Sequence, residues 1–231
     1  MCTALTFMEV FMKKVITSIT VCSLAVCALA SCGSSAKSGE KIVGKWAMSD
    51  LSNAGAGVEG GGIIFSDNGK GSVYLDTSSL LHFSDDGLVV SETTLSKDYI
   101  KESGDTLTVD VMGQEMIGLT KLESKTGYDG KYSLKSGILY DSIVQGMENQ
   151  GGSSFNKDDL DITIDFDGSK SEVVFNDLFT YTTSGKKLTV SGFSGFLDGG
   201  DGKEAKAEFK VDGDTLELKD AKSTETLTRV K

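Results

Sequence analysis

Turn chemistry constrains this chain more than any other feature of it. Glycine-bearing triplets recur at short intervals: Asp67-Asn68-Gly69, Asp85-Asp86-Gly87, Ser103-Gly104-Asp105, Asp167-Gly168-Ser169, Ser184-Gly185-Lys186 and Asp212-Gly213-Asp214. Asn-Gly and Asp-Gly supply the positive φ angles that tight hairpins demand. Between the triplets lie short runs of β-branched, aromatic and Leu residues, and no proline interrupts any of them. Turns spaced roughly 8–12 residues apart are the signature of an antiparallel sandwich or barrel. In the first half the pattern predicts strands near residues 42–48, 62–66, 71–76, 80–84, 88–92, 98–102, 106–111 and 115–122. The fold class that follows is all-β.

The plan recurs. Val43-Gly44-Lys45-Trp46 is echoed by Asp129-Gly130-Lys131-Tyr132, and Gly104-Asp105-Thr106-Leu107 by Gly213-Asp214-Thr215-Leu216. Each half ends in a Thr-bearing strand, Gly118-Leu119-Thr120-Lys121 and Thr226-Leu227-Thr228-Arg229. These echoes predict two tandem units, 41–124 and 127–231. Units of this size can each bury a modest core, and one large barrel built from both halves is the alternative. One stretch departs from the β rhythm. Between Gly137 and Met147, the residues Leu139, Ile143 and Met147 fall on one helical face with Tyr140 and Val144 beside them, which predicts one amphipathic helix in the second unit.

The N-terminus reads as a targeting segment, residues 1–31. Lys13 and Lys14 precede an apolar run from Val15 to Leu29, which is shorter than the roughly 20 residues a spanning helix needs. Glu9 is out of place in such a segment, so translation is expected to start at Met12. The run ends in Leu29-Ala30-Ser31-Cys32-Gly33, which resembles the lipobox of bacterial lipoproteins. The resemblance implies diacylglyceryl transfer to Cys32, cleavage before it, and export with a lipid anchor. The anchored face is the outer face of the cytoplasmic membrane, or the outer membrane in a Gram-negative host. Residues 32–40 then form the lipidated cysteine and a polar tether.

Charge and cysteine count narrow the function. Setting Lys13, Lys14 and Glu9 aside from 23 basic and 34 acidic residues leaves 21 and 33, a net charge of about −12 for the exported body. Such a surface repels phosphate backbones, so nucleic acid is excluded as a partner. Cys2, Cys22 and Cys27 precede the cleavage site and Cys32 is consumed by lipid, leaving no thiol for a disulfide or a metal. The one histidine, His82, argues against a His-based zinc centre or a Ser-His pair. Ser191-Gly192-Phe193-Ser194-Gly195-Phe196 carries the letters of a nucleophile elbow without the strand-to-helix setting, and reads as a hairpin or bulge.

A Gly-Xaa-Trp motif on a first strand, a meander of about eight strands, and a basic residue on the last strand together resemble the lipocalin-like (calycin) barrels. The matching residues are Gly44-Lys45-Trp46 with Lys121, and Gly130-Lys131-Tyr132 with Arg229, the chain's single arginine. The resemblance implies that Trp46 and Tyr132 each close a barrel end beneath a cation. Tyr stands where the motif has Trp in unit two, and Lys where it has Arg in unit one. The fold expected is thus a pair of tandem lipocalin-like meander barrels or sandwiches with one short helix.

No catalytic constellation and no cofactor are expected. The leading functional expectation is a non-enzymatic, membrane-anchored module binding a small apolar or amphipathic ligand. The alternative is a structural or protein-interaction role with filled barrels. Large interior residues (Ile64, Phe65, Tyr74, Leu81 and Phe83) would favour the second. The candidate metal ligands are Asp165, Asp167 and Glu172, hard carboxylates that suit calcium, while the acidic stretch Asp198-Gly199-Gly200-Asp201-Gly202 reads as an exposed loop. Alternation with Ile162, Ile164 and Phe166 makes Asp161 and Asp165 the solvated face of a strand instead.

Overall fold

The structure, a computed structural model, describes residues 42–48, 58–151, 157–192, 204–219 and 224–231. The expected targeting segment, Cys32 and the expected tether lie outside the described residues, as do Phe193 and Phe196. Sixteen strands and one long helix make up the described chain. In order they are β1 (Gly44–Met48), β2 (Gly60–Phe65), β3 (Lys70–Asp76), β4 (Leu81–Ser84), β5 (Gly87–Val90), β6 (Thr93–Ser96), β7 (Ile100–Ser103), β8 (Thr106–Val111), β9 (Gln114–Ser124) and β10 (Gly130–Ser136). Then follow α1 (Ile138–Gly151), β11 (Asp161–Asp167), β12 (Lys170–Ser184), β13 (Lys187–Gly192), β14 (Ala205–Asp212), β15 (Thr215–Lys219) and β16 (Thr224–Arg229). The chain is all-β and every pairing is antiparallel.

Eight strands close into a barrel in the cyclic order β1-β2-β3-β12-β13-β14-β15-β16. The join is made by β12, a 15-residue strand with an irregularity between Phe175 and Phe179. Asp177 sits there with φ 50, an uncommon angle for a residue with a side chain, and Lys70 holds its carboxylate at 2.6 Å. Before this bulge β12 pairs with β3 and β11; after it, with β3 and β13. From its first half the sheet continues outward as β11-β10-β9-β8-β7, and β4-β5-β6 form a separate small sheet. Phe83 of β4 meets Phe166 of β11 edge-on at 4.7 Å, so the small sheet covers this extension.

The pairing registers reveal an internal two-fold. Tyr74 faces Val174 at its centre. On either side Ile63↔Val73 is answered by Ile164↔Val173, and Trp46↔Ile63 by Tyr132↔Ile164. The hairpin pair Leu81↔Val90 is answered by Tyr181↔Val190, and Leu107↔Leu119 by Leu216↔Leu227. The echoes in sequence thus occupy equivalent places in space.

The units expected at 41–124 and 127–231 do not, however, close on themselves. β16 returns to β1, so the barrel takes its opening strands from the first unit and its closing strands from the second. The complementary set, β10 and β11 with β4 to β9, mixes the units the other way round. The physical reason is local: β9 runs through a short turn directly into β10 and pairs with it. In that turn Lys125 N–H donates to Asp129 O at 3.1 Å, and Asp129 N–H to Thr126 O at 3.1 Å. With β10 occupying its edge, β9 is unavailable to β1.

One contiguous core runs through both sets. Its largest fully buried members include Trp46, Tyr132, Phe65 and Phe166. Leu139, Ile143 and Met147 of α1 join it, the face their spacing predicts. Burying each large apolar side chain contributes roughly 1.5–3 kcal/mol, and each edge-on aromatic pair about 0.5–1.5 kcal/mol more.

Candidate functional site

The two Gly-Xaa-aromatic motifs build the most elaborate side-chain arrangements in the molecule. In β1, Trp46 is wholly buried and its indole Nε1–H donates to the carbonyl of Ile42 at 2.7 Å. In β10, Tyr132 is wholly buried and its hydroxyl donates to the carbonyl of Tyr128 at 2.8 Å. Both rings therefore pin the backbone four residues upstream, which fixes how the chain enters its first strand. A buried indole N–H or phenol without such a partner would be costly. Burial, then the nearby Glu102 carboxylate, pushes the Tyr132 phenol up to about 12, so it remains a donor at any physiological pH.

A cation caps each ring. The Arg229 guanidinium lies 4.1 Å from the centre of the Trp46 ring and donates through Nη1 to the carbonyl of Val43 at 3.1 Å. The Lys121 ammonium lies 5.7 Å from the centre of the Tyr132 ring. The partners are crossed relative to the motif match, which puts Lys121 with Trp46 and Arg229 with Tyr132. Strand exchange is the cause, because β16 lies beside β1 and β9 beside β10, with Trp46↔Arg229 and Tyr132↔Lys121 directly opposed. The two caps differ in quality. A planar guanidinium stacks on an indole and still reaches a carbonyl, whereas an ammonium is a point charge that prefers water.

Glycine at the first motif position has a steric reason. Gly44 and Gly130 adopt φ of 140° and 138°, which side-chain-bearing residues rarely do. A Cβ on Gly44 would lie 2.4 Å from Arg229 Nη1, and one on Gly130 would lie 2.2 Å from the Glu123 carbonyl oxygen.

Large side chains fill the interior beneath these caps. Phe65 meets Tyr181 at 4.9 Å and Phe179 at 5.9 Å, both edge-on. The Tyr181 hydroxyl reaches out of the core to the carbonyl of Ser66 at 2.6 Å. On the other side of the two-fold, Phe83 stacks on Tyr128 at 4.8 Å while Phe166 meets Tyr132 at 5.8 Å. Leu81 and Phe83 are buried as well, whereas Tyr74, also buried, and half-buried Ile64 alternate to the face opposite Trp46.

The candidate carboxylates do not form a metal site. Asp165 and Glu172 oppose each other across β11 and β12, while Asp167 opposes Lys170. Lys125 takes Asp165 at 3.3 Å and Asp167 at 3.7 Å, and Lys45 takes Glu172. The hydrogen bond that Lys125 donates to Asp165 raises its ammonium above the ordinary value, so the charge persists. Among the described residues no group of three or more potential ligands could hold a metal ion. His82 donates through Nδ1 to the carbonyl of Ser78 at 2.7 Å, a local structural bond.

One cluster went unread in the sequence. Lys45 lies 4.1 Å from the centre of the Tyr74 ring while pairing with Glu172, on the face opposite Trp46. Burial, then Glu172 and Asp76, pushes the Tyr74 phenol up to about 12. Alternation along Gly44-Lys45-Trp46 would have placed Lys45 on the outer face, but its partners come from β3 and β12, which only the fold brings together. Comparison with protein-family models, curated proteins and solved structures finds no match.

Proposed function

We propose that the chain is an exported, lipid-anchored bacterial envelope protein that acts as a non-enzymatic interaction module rather than as a carrier of small molecules. The observation that carries this reading is the packed interior. Phe65, Phe179 and Tyr181 pack edge-on on strands of the closed barrel, and Phe83, Tyr128 and Phe166 pack together in the complementary set beside it. An eight-stranded barrel has an interior just wide enough for side chains or one small ligand, so filling it with rings leaves the outer surface for recognition. The lipobox at Cys32 and the charge of the body support an envelope location and argue for protein over nucleic acid as partner. Among the described residues no helix is long and apolar enough to cross a membrane.

Native mass spectrometry of residues 33–231, purified from the native host, tests the reading. A clean protein mass that survives addition of a lipid extract is expected. A small molecule that co-purifies stoichiometrically and leaves on mild activation would sink the filled-barrel reading in favour of ligand carriage.

A further inference from the structure

Two departures from the internal two-fold converge on one exposed apolar spot. The first is at β6 and β7. Where the closed barrel runs β14 unbroken from Ala205 to Asp212, the other set interrupts the same path with a 3-10 turn, Lys97–Tyr99. The equivalence follows from the registers, since β5–β6 answers β13–β14 and β7–β8 answers β14–β15. The turn leaves Tyr99 40 % exposed.

The second departure is the β8–β9 hairpin. Val111 opposes Gln114, so the loop is the dipeptide Met112-Gly113, with φ of 58° and 80°. Two positive angles define a turn that strongly prefers Asn-Gly. Methionine there strains the backbone, and its side chain is 68 % exposed, so it contributes little to the core. Strain kept without a packing return points to use.

The registers bring the two together. Ile100 opposes Val109, which places Tyr99 beside Asp110, two residues from Met112. The 3-10 turn packs against β8. Half-buried Ile100 and Val111 adjoin the pair. Around it stand Asp98, Asp110 and Glu115 against Lys97 and Lys101, and Lys101 is already held by Asp110 at 3.1 Å. The exported body as a whole is strongly acidic.

We propose that Tyr99 and Met112 form a knob that docks a protein segment presenting apolar side chains within a basic rim. The proposal rests on the interaction-module reading and names its contact point and partner class. Tyr is favoured at interface centres, Met adapts to irregular clefts, and an acidic surface steers a cationic partner.

The test uses the mature chain with Cys32→Ser and, as probe, an 18-residue amphipathic peptide of Lys and Leu only. Amide shifts on titration are expected at Tyr99, Ile100, Val111 and Met112. Tyr99→Ser and Met112→Asn should each weaken binding by about tenfold or more, the loss of one interface anchor. Met112→Asn should at the same time raise the melting midpoint by about 2–4 °C, because the strain is relieved. Shifts centred elsewhere, or equal affinity in Met112→Asn, overturn the knob. So does a midpoint that fails to rise, since the strain argument then collapses. Self-association of the mature chain that Met112→Asn abolishes, or vesicle binding that it abolishes, assigns the knob to a second copy or a lipid surface instead. A ligand found by native mass spectrometry would remove the filled-barrel reading while leaving each of these results readable.

Discussion

Substituting Gly44 by Ala probes the barrel closure most directly, because the added methyl group meets a side chain and not a backbone. The φ of 140° costs an alanine about 1–3 kcal/mol. Its Cβ would lie 2.4 Å from Arg229 Nη1 and 3.5 Å from Cζ, so the guanidinium must leave the Trp46 face. That forfeits a cation–ring contact of roughly 0.5–2 kcal/mol, toward the low end because Arg229 is only half-buried. The expected loss for Gly44→Ala is therefore about 2–4 kcal/mol, and for Arg229→Ala about 1 kcal/mol. In the double variant the clash has no partner, so the losses should fall short of their sum by about 1 kcal/mol. Gly130→Ala supplies the control: its Cβ would strike the Glu123 carbonyl oxygen at 2.2 Å, which no side-chain truncation removes. Gly130→Ala and Lys121→Ala should add within about 0.5 kcal/mol. Urea unfolding followed by fluorescence reads the first cycle at its centre, because Trp46 is the only tryptophan. Full additivity at Gly44 and Arg229, or equal relief at Gly130 and Lys121, would refute the placement of Arg229 over Trp46.

Strand exchange predicts which engineered cysteines meet. In residues 33–231, which hold no native thiol, Ala47→Cys with Thr228→Cys should oxidise to an intrachain disulfide, since these positions oppose across β1 and β16. Ala47→Cys with Thr120→Cys should not; mobility on a non-reducing gel decides, and efficient bridging of the second pair would mean that each unit closes on itself. The raised phenols of Tyr74 and Tyr132 predict an alkaline transition. An unfolded tyrosine ionises near 10 and these two near 12, so the stability they confer is whole below pH 10 and is lost as pH rises through 12. Burial raises the Tyr181 phenol as well, so tyrosinate absorbance should show three phenols titrating late, together with unfolding, and all six tyrosines ionising near 10 in the native state would contradict their burial.

The difference between what the sequence disclosed and what it hid follows from the range of the forces involved. Strand positions were legible because Asx-Gly triplets and alternation act over a few residues. Strands were expected at 106–111 and 71–76, and β8 and β3 fall at Thr106–Val111 and Lys70–Asp76. The helix was legible for the same reason, since Leu139, Ile143 and Met147 recur every four residues. β6 at Thr93–Ser96 escaped notice because Thr93, Thr94 and Ser96 leave a single apolar residue, Leu95, to mark it. The closing residues Trp46, Lys121, Tyr132 and Arg229 were legible as types but not as pairs.

Pairing was illegible for a reason specific to β-sheet chains whose motifs echo one another. Either cation can cap either ring, and the equivalent registers would allow either closing strand to lie beside either opening strand. Side-chain chemistry near the motifs therefore cannot choose between self-closed and exchanged units. The choice falls to the connection at 125–129, which has no motif value of its own. Gly127 takes φ 64 there and the chain reverses at once, so β9 and β10 pair before either can seek a partner farther along the chain. Closing a short loop costs less entropy than closing one of a hundred residues. Three side-chain contacts then hold the corner: Lys125 to Asp165 and Asp167, Asp129 to the Gly168 amide at 3.0 Å, and Phe83 against Tyr128. The first of them uses Asp165 and Asp167, which, read along the sequence, suggested a cation site. Their place in the fold gives those carboxylates a different purpose, which is to anchor the turn that commits the two halves to each other.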